Sequence, residues 1–204
     1  MSKPTLNDSA LDQLFRQARS FNGWLDEQVS DLQLQCIIDL MKMAPTSANC
    51  QPARILFLKS QAAKNRLKPH LIDSNVEKVM SAPVVAIIGH DLAFYDNLPK
   101  WFPHTDARSW FVGDDELIKT TAFRNGTLQG AYLMLAARTL GLDCGPMSGF
   151  DNAGVDKEFF ADSTDGDSTK AIRSNFICAL GHGDVTSIFE RSPRPSFDDL
   201  AKIL

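Results

Sequence analysis

The chain has 204 residues, 44% hydrophobic and 23% charged, which is enough for one domain with a sizeable core. Its formal charge is −4 and it has no block of like charges, which argues against a nucleic-acid surface or a basic patch facing a membrane. No apolar stretch approaches ~18 residues, so nothing should span a bilayer, and residues 1–10 show no secretory signal.

Leu11, Leu14, Phe15 and Ala18 make a first helical stripe. It runs into Arg19-Ser20-Phe21-Asn22-Gly23-Trp24, where a cation, a hydroxyl and an amide could hold an anion. Taken alone, these residues are accounted for by a helix C-terminus, where arginine suits the dipole and Gly23 helps end the helix. Ser30 and Gln33 form a capping-box start for a helix carrying Leu34, Ile37, Ile38 and Met41. That helix should stop at Ala44-Pro45, because proline cannot extend it and pushes Ala44 out of the α region.

The turn that follows, Thr46-Ser47-Ala48-Asn49-Cys50-Gln51-Pro52, is rich in hydroxyls and amides and has no glycine, so it is no Walker-type phosphate cradle. Its polar groups can bond local backbone or face a ligand. Arg54–Leu58 reads as a buried strand, and a helix is expected from Ser60 to Lys68, stopped by Pro69. Residues 75–80 read as a short helix or turn, and Val84–Ile88 as a central strand.

From Phe94 to Phe111 aromatic residues interleave with Pro99, Pro103, His104, Asp106 and Arg108. This segment reads equally as a lid over a pocket or as a satellite aromatic cluster. Residues 115–140 form the longest helical run, closed by Gly141 as a left-handed cap. It is apolar on most sides, as expected of a helix buried centrally or in a subunit interface.

Leu142-Asp143-Cys144 is extended, and Gly145-Pro146-Met147-Ser148-Gly149-Phe150 is a loop where backbone could approach a flat ligand. A short helix at 152–160, a polar loop at 162–169 and a last strand at 175–180 follow. The tail holds Arg191, Arg194 and an amphipathic helix with Phe197, Leu200, Ile203 and Leu204. No repeat or linker divides the chain, so residues 1–204 are read as one domain.

The four cysteines form no C-x-x-C pair and fit a reducing cytoplasm. The four histidines form no H-E-x-x-H and no close ligand pair, so no metal is expected. There is no G-x-S-x-G and no G-x-G-x-x-G. A Cys50 nucleophile with His104 or His182 would make a hydrolase, but neither histidine carries a signature for that role. If the protein is an enzyme, a cofactor should carry its chemistry.

In order along the chain, Arg19-Ser20-x-Asn22, Pro45-Thr46-Ser47-Ala48-Asn49-x-Gln51-Pro52, Asn75-x-x-Lys78, Pro146-Met147-Ser148-Gly149-Phe150 and Gly181-His182-Gly183 with the arginines after it resemble the motifs of the nitroreductase family of FMN oxidoreductases. Asn22-Gly23-Trp24, Phe102-Pro103-His104 and Asp106-Ala107-Arg108-Ser109-Trp110-Phe111 resemble its RutE/HadB-type branch, which includes a malonic semialdehyde reductase. Ala18 and Asn22 stand where the family often has basic residues, and Ser148 where many members have glutamate.

The resemblance implies an α+β fold with a central, mostly antiparallel sheet flanked by helices, and a homodimer with two flavins at its interface. It implies ping-pong hydride transfer from NADH or NADPH through FMN to a small carbonyl acid, or to a nitro or quinone acceptor. Arg19, Arg191 and Arg194, with Ser20 and Asn22, would hold the FMN phosphate. Pro45, Thr46, Ser47 and Asn49, the pair Asn75 and Lys78, and Pro146, Met147, Ser148 and Gly149 would contact the flavin, with Lys78 as the cation beside the ring. His104, Arg108 and Trp110 would meet the substrate. The alternative for Arg108 is a surface pair with Asp106 or Asp115. A flavin-binding protein without turnover is the second reading, and the Cys50 hydrolase the third.

Overall fold

All eight residues of the strand Val84–Asp91 are buried, and the other elements are laid around it. The computed structural model describes residues 3–161 and 171–204. Its strands are β1 (Ala53–Leu58), β2 (Val84–Asp91), β3 (Asp143–Met147) and β4 (Ile172–Gly181). They form one sheet of order β1-β2-β4-β3, in which every pairing is antiparallel. The β2 run is continuously apolar because both faces of this central strand are covered. Val84, Ala86 and Ile88 face one cluster, while Val85 and Ile87 face another, following the two-residue period of a strand.

The first cluster lies under helices α2 (Asp31–Met41) and α6 (Asp115–Thr139), through Leu34, Ile37, Leu133 and Ala137. The second lies under α3 (Gln61–Leu67), α4 (Asp73–Ser81) and α7 (Asn152–Phe159), through Leu67, Val79 and Val155. The capping box of α2 is present, with the Ser30 hydroxyl accepting from Gln33 N at 3.2 Å and the Gln33 side chain accepting from Ser30 N at 2.9 Å. The long helix ends at Thr139, and Gly141 takes the left-handed φ of +76° that reverses the chain into β3.

Several expectations change. The helix expected to halt at Pro69 ends at Leu67, and Pro69 sits inside a following 3-10 turn, where a proline near the N-terminus costs no hydrogen bond. The stretch 142–150 is strand through Met147, because Cys144–Met147 pair with β4. The first helical stripe divides into a turn of α-helix, α1 (Asp8–Leu11), and a π turn at Asp12–Arg16.

The long helix is not buried all round. One side packs on the sheet, while Phe123 is 54% and Leu128 41% exposed around a shallow apolar concavity also lined by Thr120, Thr127 and Ala131. In the tail the helix expected through Leu204 is confined to Phe197–Leu200, and Phe197, Leu200, Ile203 and Leu204 are all exposed. The loop expected at 162–169 lies outside the described residues.

The segment 94–111 folds as a 3-10 turn, a short helix α5 (Leu98–Trp101) and a second 3-10 turn at Ala107–Trp110. Phe94, Leu98, Ala107 and Phe111 bury themselves with Cys50, Ile118 and Ala122 in a third cluster. The segment is therefore a satellite core by packing, and its outward residues remain available to solvent.

Candidate functional site

Four arginines converge where the N-terminal segment, the last turn of α6 and the tail meet. Arg19, Arg138, Arg191 and Arg194 line a single open cavity of about 530 Å³, together with Ser20 and Asn22. Arg19 donates to the Phe189 carbonyl, and Arg191 Nη2 donates to Ala18 O at 3.1 Å, so the two segments are laced by reciprocal side-chain contacts. Arg138 Nη1 donates to Leu14 O at 2.9 Å, and Arg194 Nη1 to Ser192 O at 2.8 Å. Each guanidinium is thus held by one nitrogen on neutral backbone carbonyls, Arg194 Nη1 also reaching Pro193 O at 3.4 Å.

Among the described residues none of the four has a carboxylate within ion-pair distance, although the chain carries a net negative charge. Glu190 also lines this cavity, so four guanidiniums stand against one carboxylate, a net positive balance that suits a multiply charged anion such as a phosphate dianion.

The cavity is joined to a second group of polar residues through β3. Ser20 bridges Cys144 in parallel, and Phe21 N donates to Cys144 O at 3.1 Å. Beside it lies Gly145, where a Cβ would stand 2.6 Å from Lys78 Cε and 2.6 Å from Phe21 O; only glycine admits this approach. Lys78, 7% exposed, reaches along that slot toward Pro146 O at 3.4 Å. Burial pushes its ammonium pKa down from the ordinary lysine value. Asn75, one turn earlier on α4, donates to Gly149 O at 3.0 Å. The fold therefore brings Asn75, Lys78, Pro146, Met147, Ser148 and Gly149 together and links them to Ser20.

The Pro45 loop lies elsewhere. Its geometry is set by α6: Ser47 N donates to Asn125 Oδ1 at 2.9 Å, Ala53 N to Gln129 Oε1 at 2.8 Å, and Tyr132 Oη to Pro45 O at 3.2 Å. Ala48, Asn49 and Gln51 adopt positive φ, a strain these contacts hold in place. Thr46 Oγ1 accepts from Gln51 N within the loop, and Asn49 Nδ2 donates to Trp101 O at 2.8 Å, tying the loop to α5.

The loop enters β1 level with His90, whereas Ser20 meets β3 level with Leu180 and Val84. Three strand spacings and six residues of β2 separate the two places, about 25 Å. In one chain, the β1 end of the Pro45 loop is therefore remote from Ser20, and α6 runs between the two places, meeting Pro45 through Tyr132 and the cavity through Arg138.

Arg108 pairs with Asp96 (Nε–Oδ1 2.9 Å) and lies over the Tyr95 ring at 5.7 Å. The partner is Asp96 and neither Asp106 nor Asp115, the two expected for a surface pair: Asp106 is occupied capping the 107–110 turn, and Asp115 sits in the first turn of α6. His104 stacks edge-on against Phe102 at 5.1 Å, and Trp110 is 52% exposed. These three substrate candidates share the outer surface of the aromatic segment, which touches the Pro45 loop through Trp101.

Cys50 is fully buried and its thiol pKa is pushed up to about 11 by desolvation, which removes it as a nucleophile. No group of three metal-ligating side chains occurs among the described residues, and no described helix is long and apolar enough to cross a membrane.

Arg138 was not foreseen. In sequence it is a basic residue in the last turn of a long helix, the usual place for a dipole partner. Only the docking of α6 beside Ala18 shows which cavity it faces.

The sequence pattern of the nitroreductase family matches residues 15–182. A Burkholderia lata protein provisionally named an NADH dehydrogenase/NAD(P)H nitroreductase is 60% identical over 199 residues, with 98% of each chain covered. A similarly named Ralstonia pickettii protein, HadB, is 58% identical over 192 residues, covering 93% of this chain and 94% of its own. Among solved structures, a nitroreductase from Exiguobacterium sibiricum, provisionally so named and in complex with FMN, superposes with a TM-score of 0.78 at 20% identity over the full length of both chains.

Proposed function

The chain belongs to the nitroreductase family, and we propose that it is an FMN-dependent NAD(P)H oxidoreductase acting as a homodimer. The observation that carries this reading is the cavity of four arginines, none in an ion pair among the described residues, connected through Ser20 and β3 to the buried Lys78. Its donor set suits a flavin phosphate, and Arg138 supplies charge near Ala18, where the family often has a basic residue. When bound, FMN would take a hydride from NADH or NADPH and pass it to a second substrate.

The protein's part is to bind and to orient. The guanidiniums hold the phosphate. Lys78 places a fixed, desolvated positive charge next to Pro146 and Gly145, where it acts through a low dielectric. Asn75 fixes the backbone at Gly149.

The separation of the β1 end of the Pro45 loop from Ser20 supports a site completed by a second copy of the chain. So does the exposed apolar face of α6 around Phe123 and Leu128. In that arrangement the loop and the aromatic segment of one protomer would cover the flavin held by its partner. For the second substrate, the branch resemblance supports malonic semialdehyde, reduced to 3-hydroxypropionate. Arg108 is the cation that would hold its carboxylate, exchanging Asp96 for the substrate.

Purified protein should be yellow, release FMN on denaturation, and bleach with NADH or NADPH under nitrogen. Colour should return on adding malonic semialdehyde or a quinone. A protein that retains no flavin when reconstituted with FMN would refute the reading. Bound flavin that neither nicotinamide reduces would leave a binding protein without turnover.

A further inference from the structure

Helix α4 carries Asn75 and Lys78 and ends at Ser81, so its last carbonyls have no donors within the helix. Two distant side chains supply them. Trp24 Nε1 donates to the carbonyl of Lys78 itself at 3.1 Å. Lys64 Nζ, on α3 and 6% exposed, donates to Met80 O at 3.0 Å and Ala82 O at 2.8 Å.

Trp24 is anchored in turn. Its backbone bridges Gly183, and Leu25 N donates to His182 O at 2.8 Å. Its ring lies across the ends of β3 and β4, where Cβ atoms at Gly145 and Gly181 would each come within 3.0 Å of it. Arg19 and Trp24 thus stand at the two ends of one short segment, the first in the arginine cavity and the second on the helix that bears Lys78.

We propose that Trp24 is a positioning residue for Lys78: its indole N–H fixes the carbonyl of the residue whose ammonium enters the Gly145 slot, with Lys64 holding the carbonyls that follow. Among the described residues, the ammonium's one hydrogen bond inside that slot is long, to Pro146 O at 3.4 Å. A lysine stem is flexible, so backbone placement must supply the precision that this contact does not. The segment also makes phosphate binding at Arg19 and charge placement at Lys78 parts of one rigid unit. This inference rests on the reading of Lys78 as the cation that favours reduced flavin.

The test is a double-mutant cycle on the full-length protein with Trp24→Phe, Lys78→Met and the pair. The quantity read is the ratio of dissociation constants for oxidised and reduced FMN, titrated anaerobically. Lys78→Met should lower the preference for reduced FMN by roughly tenfold or more, as expected for a lost charged contact. Trp24→Phe should lower it by a smaller factor, about threefold or more, and should add nothing in the Lys78→Met background. An unchanged ratio in Lys78→Met would overturn the role of Lys78, and this inference with it. A shift in Lys78→Met but none in Trp24→Phe, or an equal further loss in the double variant, would overturn the strut alone. Should Trp24→Phe fail to fold, Lys64→Met replaces it in the same cycle with the same criteria, and Lys64→Arg should restore the ratio.

Discussion

Replacing Arg138 by methionine keeps an unbranched stem of similar length and removes one of four guanidiniums around the proposed phosphate site. One nitrogen of Arg138 already holds Leu14 O at 2.9 Å, so only the remaining part of its fork is free for a ligand. One charge-assisted hydrogen bond contributes about 1.5–3 kcal/mol net, which corresponds to a roughly 10- to 150-fold weaker dissociation constant for FMN. The lost Leu14 contact would cost about 1 kcal/mol of stability in the apo-protein, independent of any ligand. Riboflavin separates the two effects because it carries the same ring without the phosphate. Fluorescence titrations of apo-protein should show FMN weakened by the full factor and riboflavin nearly unchanged. Equal losses for the two ligands would mean that Arg138 acts only through the fold. No loss for either would remove it from the site.

Gln129→Ala would strip the acceptor from Ala53 N and the partner from Gln51 at the base of the Pro45 loop. A stability loss of about 2–4 kcal/mol is expected in urea, and a change below about 0.5 kcal/mol would show that the loop does not depend on α6. His90 is buried, its Nδ1 has no hydrogen-bond partner among the described residues, and desolvation pushes its pKa below 6.5, with Arg173 adding to the effect and Asp156 and Asp91 opposing it. Because the folded value is the lower one, this stability is present above about pH 6.5. It is lost as the pH falls toward the depressed folded value. His90→Leu should flatten the melting temperature across that window, and an unchanged slope would refute the assignment. Phe123→Asp with Leu128→Asp should yield monomers by sedimentation, and a persistent dimer would place the interface elsewhere. Arg108→Ala should lower kcat/KM for the aldehyde acid by roughly tenfold or more and spare a neutral quinone; equal losses would leave Arg108 a structural residue paired to Asp96.

The elements were largely legible because their signals are local. The capping box at Ser30, the continuous apolar run of β2 and the glycine after α6 each act over a few residues, and each appears where the sequence places it. The family was legible because five short motifs keep their order along the chain. The π turn after α1, the strand character of Pro146-Met147 and the 3-10 turn through Pro69 were not, since each depends on a partner segment or on where a helix happens to end. Arg138, the Trp24 contact with Lys78 and the Asp96 partner of Arg108 were likewise decided by tertiary structure. The sequence itself determined which residues could bind an anion or a flat ligand. Which of them face one another was settled by packing, because a side chain's partner depends on how helices and strands distant in sequence dock, and no local pattern encodes that distance.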